Sequence, residues 1–306
     1  MINFFKLSKK IKTVQVDNNF LLTNFWAHSN LNEVWFYNFL NHRNLLSHDI
    51  TFNFISVFGD IPKLDKKHIN VFYSGENTDL KAWRKYKNHL LDKVDIAMGF
   101  SNIKHDNYLR FPLWILYLIP ANASYEEIKQ IFDSFNNHSI LDRKIKFSMI
   151  ASHDKQGTRA KMLQLIENNF EQVCCPGKFN NNSNVLKLDY NDDKLKFLQD
   201  VVFNICPENS NAEGYVTEKI FEAISQGCIP IYWGSNNNPE PEILNNEHII
   251  FYNENQPNAF INDIKNYKFD SNKNSFIKNN AAEIVWSWMQ QLELLVLQKI
   301  KEKTTE

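Results

Sequence analysis

Glycine is scarce in this chain, with 8 in 306 residues against 24 phenylalanines, while asparagine and lysine are plentiful. The Asn/Lys bias is read as genomic base composition. Cysteine is sparser still: Cys174, Cys175, Cys206 and Cys228. Adjacent Cys174 and Cys175 cannot form a CxxC metal knuckle, and the other two lie in apolar runs. All four read as small buried hydrophobes in a reducing compartment. No stretch approaches the roughly 18 consecutive apolar residues of a membrane span. The first residues, MINFFKLSKKIKTVQVD, hold too short an apolar run for a secretory signal. A cytoplasmic setting, with peripheral association at the inner membrane left open, is the expectation. The formal charge of −1 exerts no global pull on nucleic acid. The histidines show no HxxxH or His-Cys spacing, and His153-Asp154 reads as a solvated loop pair. There are no internal repeats and no low-complexity linker.

What is present is a soluble globular composition, 43% hydrophobic and 23% charged. The length suits one large or two ordinary domains. Apolar runs alternate with helical patterns: strands are expected in 12–16 or 20–26, then in ITFNFISVF (50–58), INVFY (69–73) and 94–100. YLRFP (108–112) follows, then a helix over 125–135. A second series opens with KFSMIA (146–151), a helix capped by Thr158, a strand and turn over 172–177, and a helix over 194–199. A short strand over 249–252 and a helix over 259–264 come next. The chain ends in a long helix over 281–300. This is α/β alternation.

The most informative stretch is Phe203 to Gly234, FNICPENSNAEGYVTEKIFEAISQGCIPIYWG. An apolar run, a polar loop, a helix and a second apolar run make a strand–loop–helix–strand unit of a parallel sheet. Thr217 can cap the helix, Ile220, Phe221 and Ile224 recur on one face, and Gly227 stops it. The first N–H groups of such a helix lack internal partners and sit at the positive end of its dipole, which suits phosphate. Lys219 adds a cation in the same turn. Taken alone, Glu218 and Lys219 are equally ordinary surface residues.

That stretch closely resembles the signature of the bacterial-type α-1,3-fucosyltransferases, in which ENS…YVTEK…IPIYWG binds GDP-fucose. YSGEN (73–77), DIAMGF (95–100) and YLRFP resemble further segments of those enzymes, so the likeness runs from about Val71 to Tyr252. Pro207 departs from it, standing where the family usually has an aromatic residue. The resemblance implies a GT-B fold: two Rossmann-like doubly wound α/β domains facing a cleft, with a C-terminal amphipathic helix. The expected division is residues 1–143 for the acceptor, 144–280 for GDP-fucose, and 281–306 as a helix packing back on the domains.

It also implies roles. Glu76, in the loop after the 69–73 strand, corresponds to the proposed catalytic base; on its own it could equally be a solvated acid. Arg159 matches an arginine that contacts the donor pyrophosphate, and planar guanidinium suits that ligand. Asn209 and Lys219 match diphosphate contacts, Glu218 a ribose contact, and Tyr215 the fucose/phosphate region. Glu208, Lys178 and Arg110 are secondary candidates, Glu208 either bracing the loop or touching the sugar. No DxD is present to bind Mn²⁺ and diphosphate as in many other glycosyltransferases. No obligatory cofactor or metal is therefore expected, with stimulation by Mg²⁺ or Mn²⁺ left open. The implied reaction is inverting transfer of fucose from GDP-β-L-fucose to an oligosaccharide hydroxyl, O3 of GlcNAc or glucose in a lactosamine-type glycan such as those of Lewis antigens and lipopolysaccharide. Transfer of another nucleotide sugar, and a binding protein without catalysis, remain open, as does the oligomeric state.

Overall fold

The apolar runs become short parallel strands. A computed structural model of the protein describes residues 13–25, 33–47, 49–135, 142–268 and 275–305. In chain order the elements begin with β1 (Thr13–Asp17), β2 (Phe20–Thr23), α1 (Trp35–His42), β3 (Phe52–Ile55), β4 (Ile69–Ser74), β5 (Ile96–Gly99), β6 (Tyr108–Arg110) and α2 (Leu113–Leu118). There follow α3 (Tyr125–Ser134), β7 (Ile145–Ser148), α4 (Thr158–Asn169), α5 (Val185–Leu188), α6 (Lys194–Leu198), β8 (Val201–Ile205) and α7 (Glu218–Ser225). The last are β9 (Ile229–Tyr232), β10 (Ile250–Phe251), α8 (Pro257–Asn266) and α9 (Ala281–Thr305).

Two compact units result, one of residues 1–124 with 285–306 and the other of residues 125–284. The boundary therefore falls before α3, not near 143: α3 groups with the second unit, and α9 from Val285 onward with the first. No linker composition marks this division, which is why topology alone misplaced it.

In the first unit the sheet order is β1-β2-β3-β4-β5-β6, parallel except for the antiparallel edge strand β1. Every connection after β2 thus steps the same way, without the reversal of a doubly wound sheet. All six residues of β4 are buried, as expected of a central parallel strand covered on both faces. Phenylalanines fill this core: Phe36 stacks on Phe54 at 4.7 Å, and Phe72 on Tyr86 at 5.2 Å. A buried polar ladder crosses the sheet, Thr23 Oγ1 donating to Asn53 Oδ1 (2.8 Å) and Asn53 Nδ2 to Asn70 Oδ1 (3.1 Å). Such a network is satisfied in one register only, because a one-residue slip would turn each side chain to the opposite face. Helix α9 is tied into this unit by Arg43–Glu293 (3.1 Å) and Lys303–Asp95 (3.1 Å), and it buries Val285, Met289, Leu292 and Val296.

The second sheet is ordered β10-β9-β8-β7, all parallel. The run expected as a strand over 172–177 yields only a single parallel bridge, Cys174 beside Ser148, on the free edge of β7. That bridge is enough to set the topology. The chain leaves β7 for Cys174 on one side and returns to β8 on the other. The order is the flavodoxin-like one, with its reversal between β7 and β8.

His89 shows the cost of burying a titratable group in the first unit. It is 1% exposed, edge-on to Tyr108 at 5.2 Å, and Gly99 leaves room for its ring, since a Cβ there would stand 3.1 Å from Cε1. Burial pushes its imidazolium down to about 4 from 6.5, against a small opposing pull from Asp79. The neutral form is the one folded, so its contribution is complete above pH 6.5 and is lost as the pH falls toward 4. Chemical denaturation at pH 7 and pH 4.5 should show the wild type losing up to about 3 kcal/mol more than His89→Phe across that interval. Equal losses would show that acid sensitivity lies elsewhere.

Candidate active site

A reversal in strand order opens a crevice at the carboxyl ends of the two strands that flank it. Here those ends are the segments after β7 and β8. A cavity of about 280 Å³ lies there, lined among others by His153, Arg159, Lys194, Asn209, Glu218 and Lys219.

The segment after β8 continues to pair with β9: Cys206 N–H donates to Ile231 O (2.9 Å) and Glu208 N–H to Trp233 O (2.8 Å). In a parallel ladder alternate residues face the same neighbour, so residue 207 faces away from β9. Proline at that position costs no ladder hydrogen bond. Its carbonyl faces the cavity and accepts from Arg159 Nη2 at 3.4 Å. The sequence departure at Pro207 therefore leaves the strand intact.

Glu208 then turns inward, and its side chain has no solvent exposure. Oε1 accepts from Thr217 N–H (2.8 Å) and from the Tyr232 hydroxyl (3.4 Å); Oε2 accepts from Thr217 Oγ1 (2.7 Å) and from Lys219 Nζ (3.2 Å). The room for it exists because residue 234 is glycine: a Cβ there would fall 2.7 Å from Glu208 Cγ, and φ of +146° disfavours any other residue. Of the two roles expected for Glu208, bracing the loop is the one this geometry shows. It also overturns the expected cap. Thr217 occupies the N-cap of α7, but its hydroxyl is spent on Glu208 and it makes no capping bond. The start of α7 is thus met by the buried Glu208 carboxylate, which takes the N-cap N–H from the preceding loop and holds Lys219 beside it.

Lys219 is held by Glu208, by Thr217 Oγ1 (2.6 Å) and by Glu218 (3.6 Å), with 19% of its side chain exposed. Burial alone would lower its pKa, but the two carboxylates outweigh burial and hold it raised. Arg159 stands differently. It is 5% exposed and donates to the His153 carbonyl, to His153 Nδ1 (3.3 Å) and to Asn209 Oδ1 (3.0 Å). Burial lowers its pKa, partly offset by Asp154 and Glu208, yet a guanidinium stays charged. Among the described residues no carboxylate lies within ion-pair distance of it, so its charge is the one most available to a ligand. Accepting from Arg159 keeps His153 neutral, and burial followed by Lys155 and Arg159 depresses its pKa.

The second helix terminus also differs from expectation. Gly157, at φ +76°, is the N-cap of α4 and Thr158 its first helical residue, while Asp154 Oδ2 takes the Ala160 N–H (2.9 Å). Arg159 is thus offered as a side chain from a helix end already occupied by a carboxylate.

Of the residues singled out from sequence, the second unit brings Arg159, Asn209, Glu218 and Lys219 to one cavity. Tyr215 is 2% exposed and is not among its lining residues, and Lys178 is exposed and outside it. Arg110, on β6 of the first unit, has its guanidinium 5.4 Å from the Trp288 ring. Glu76 is half-buried in the loop after β4, where Ser74 Oγ donates to its carbonyl (2.8 Å) and accepts from its N–H (3.3 Å). Gly75 beside it permits the close approach of Leu113. Among the described residues no cluster of three His, Cys, Asp or Glu is placed to hold a metal, and no helix is long and apolar enough to cross a membrane.

A family model described as Glycosyltransferase family 10 (fucosyltransferase) C-term matches residues 141–299, and one described as Alpha-(1,3)-fucosyltransferase FucT N-terminal domain matches residues 20–117. The chain belongs to glycosyltransferase family 10. Alpha-(1,3)-fucosyltransferase FucT of Helicobacter pylori is 30% identical over 192 residues, 54% of this chain and 37% of that protein. Alpha-(1,3)-fucosyltransferase B of Drosophila melanogaster is 38% identical over 73 residues, 24% of this chain and 16% of that one. The family-10 chain thus matches well under half the length of either relative. Its fold is that of a crystal structure of α1,3-fucosyltransferase, with a TM-score of 0.57 at 20% identity over 90% of this chain and 88% of the other. An α1,3-fucosyltransferase structure with GDP gives 0.55 at 19% identity, again over 90% and 88%. The GT-B fold class implied by the sequence is the one these similarities support.

Two lining residues of this family-10 site escaped sequence reading. His153 was expected in a solvated loop, and Lys194 only within a helix. Neither sits in a distinctive motif, and both reach the cavity only because the sheet reverses between β7 and β8.

The pairing at Glu208 can be tested directly. Glu208→Ala leaves Lys219 and the Thr217 N–H without their buried acceptor and should cost about 3–5 kcal/mol in denaturant-induced unfolding. Adding Lys219→Met to that variant should recover part of the loss. In the wild type, the raised Lys219 pKa means that its contribution is complete below 10.5 and is lost as pH rises through the folded-state value. A Glu208→Ala variant as stable as wild type would show that the pair does not hold the loop.

Proposed function

We propose that the chain is an inverting fucosyltransferase that moves L-fucose from GDP-β-L-fucose to a hydroxyl, O3 of GlcNAc or glucose, in a lactosamine-type glycan. The observation that carries this reading is the second unit's cavity, where Arg159, Asn209 and Lys219 gather by the start of α7 with Glu218 beside them. The names of the relatives, α-(1,3)-fucosyltransferases, support the sugar and the linkage. An α1,3-fucosyltransferase structure with GDP-fucose has this fold, with a TM-score of 0.50 at 21% identity over 84% of each chain.

The diphosphate binds to Arg159, Lys219, the Asn209 amide and the α7 terminus, and Glu218 accepts from the ribose hydroxyls. Glu76, carried by the first unit, takes the proton of the acceptor hydroxyl as its oxygen attacks the anomeric carbon. The bond from that carbon to the β-phosphate oxygen breaks, and GDP leaves with the electron pair. The cations fixed in the cavity stabilise the charge as it grows, without rearranging at the moment of reaction. Tyr215, Lys178 and Arg110 have no direct role in this scheme, and Glu208 acts through Lys219 and Thr217. A divalent cation is not required by it, though Mg²⁺ or Mn²⁺ could stimulate by screening the diphosphate. The setting is the cytoplasm or the inner membrane surface.

The test is GDP release and product linkage with a lactosamine acceptor. Glu76→Gln should lower turnover by about 10²–10⁴-fold while GDP still binds. Arg159→Ala should weaken GDP binding by about tenfold or more, with the fold monitored by melting. Full transfer by Glu76→Gln would remove it from the mechanism. Release of sugar from another nucleotide donor, or GDP-fucose binding without transfer, would replace the reading.

A further inference from the structure

Lys194 has no place in the scheme above, yet it lines the same cavity. It is the first residue of α6, with 31% of its side chain exposed, and its ammonium is ion-paired with Glu222 of α7. Glu222 lies one turn along α7 from Glu218, and residues so spaced share a helix face with about 5–6 Å between their Cβ atoms.

The charges of the cavity therefore follow an order. Arg159 donates to Asn209 Oδ1 (3.0 Å) and to the Pro207 carbonyl (3.4 Å), and Glu208, between those two residues, accepts from Lys219 (3.2 Å). Lys219 touches Glu218 at 3.6 Å. Glu222, one turn further along α7 from Glu218, carries the ion pair with Lys194. Along the site the sequence is thus Arg159, Lys219, Glu218, then Glu222 with Lys194.

A nucleoside diphosphate has its own fixed order of diphosphate, ribose and base. With the diphosphate on Arg159 and Lys219 and the ribose on Glu218, the base comes to Lys194. We propose that Lys194, positioned by Glu222, reads the nucleobase of the donor by donating to O6 of guanine. An ammonium suits that edge, where guanine presents the acceptors O6 and N7. Adenine carries an amino donor where guanine has O6, and would set donor against donor. Glu222 is the positioning residue: it holds the ammonium in place through a short side chain on a rigid helix. The inference rests on the GDP-sugar reading.

The experiment is calorimetric binding of GDP, IDP and ADP to the full chain and to Lys194→Met, Lys194→Arg and Glu222→Gln, each checked for folding by thermal melting. GDP and IDP share O6, and ADP lacks it. Lys194→Met should weaken GDP and IDP by about tenfold and leave ADP nearly unchanged, since one good base contact is worth about 1–3 kcal/mol of discrimination. Lys194→Arg should retain the preference. Glu222→Gln should reduce the GDP-to-ADP ratio in the same direction, a change that mere loosening of α7 would not produce. If GDP and ADP weaken in parallel in Lys194→Met, the lysine serves the diphosphate and the proposal is overturned. An unchanged ratio in both Lys194→Met and Glu222→Gln overturns it as well. Wild-type protein that binds none of the three nucleotides overturns the donor reading itself, and this inference with it.

Discussion

One buried carboxylate organises the second unit's site. Glu208 has no contact with solvent and accepts hydrogen bonds from the main chain and hydroxyl of Thr217, the ammonium of Lys219 and the phenol of Tyr232. A carboxylate in such a place is costly unless its lone pairs are filled, and here they are. Because the four donors come from the start of α7 and the end of β9, the carboxylate joins the helix terminus to the strand. It also withdraws the Thr217 hydroxyl from capping and takes the Thr217 N–H itself, so the start of α7 is met by a carboxylate from the preceding loop. Loop support and the placing of Lys219 at the cavity are thereby one arrangement.

The setting for that carboxylate comes from the sheet. With Cys174 on one side of β7 and β8 on the other, the segments that follow β7 and β8 diverge and leave a cavity between them. Arg159 enters it from the helix after β7, and Asn209, Glu218 and Lys219 from the loop and helix after β8. The first unit has a different economy. Its strands run in sequence order, its core is stacked phenylalanine, and an Asn–Asn–Thr ladder fixes its register. Glu76 follows β4, every residue of which is buried, and a Ser74 turn and the packing of Gly75 on Leu113 hold the loop backbone.

Much of this was legible in the chain itself. The runs 69–73 and 203–206 and the helix after Thr217 became β4, β8 and α7, because long apolar runs and well-stopped helices carry their own signals. Gly227 adopts φ of +73° after α7, as a helix-ending glycine should. Caps were less legible. Thr158 and Thr217 both looked like caps, but in each case the environment reassigned the donors, to Asp154 in one helix and through Glu208 in the other. The unit boundary was misjudged for a related reason: grouping α3 with the second unit depends on which sheet it packs with, and α3 is amphipathic either way.

By itself the sequence determined the α/β class, the strand–loop–helix–strand unit, and the family through an ordered motif of residues close together along the chain. Those are local properties, set by periodicity, turn residues and side-chain chemistry. Only the tertiary structure decided that Glu208 is a buried brace, that Pro207 breaks no ladder bond, and that Tyr215 and Lys178 lie off the cavity lining while His153 and Lys194 lie on it. Those depend on the direction in which each connection crosses the sheet and on which face of a strand a residue occupies. Distances along the chain do not encode either, because residues such as His153, Lys194 and Lys219 meet only after β7, β8 and the Cys174 bridge have aligned.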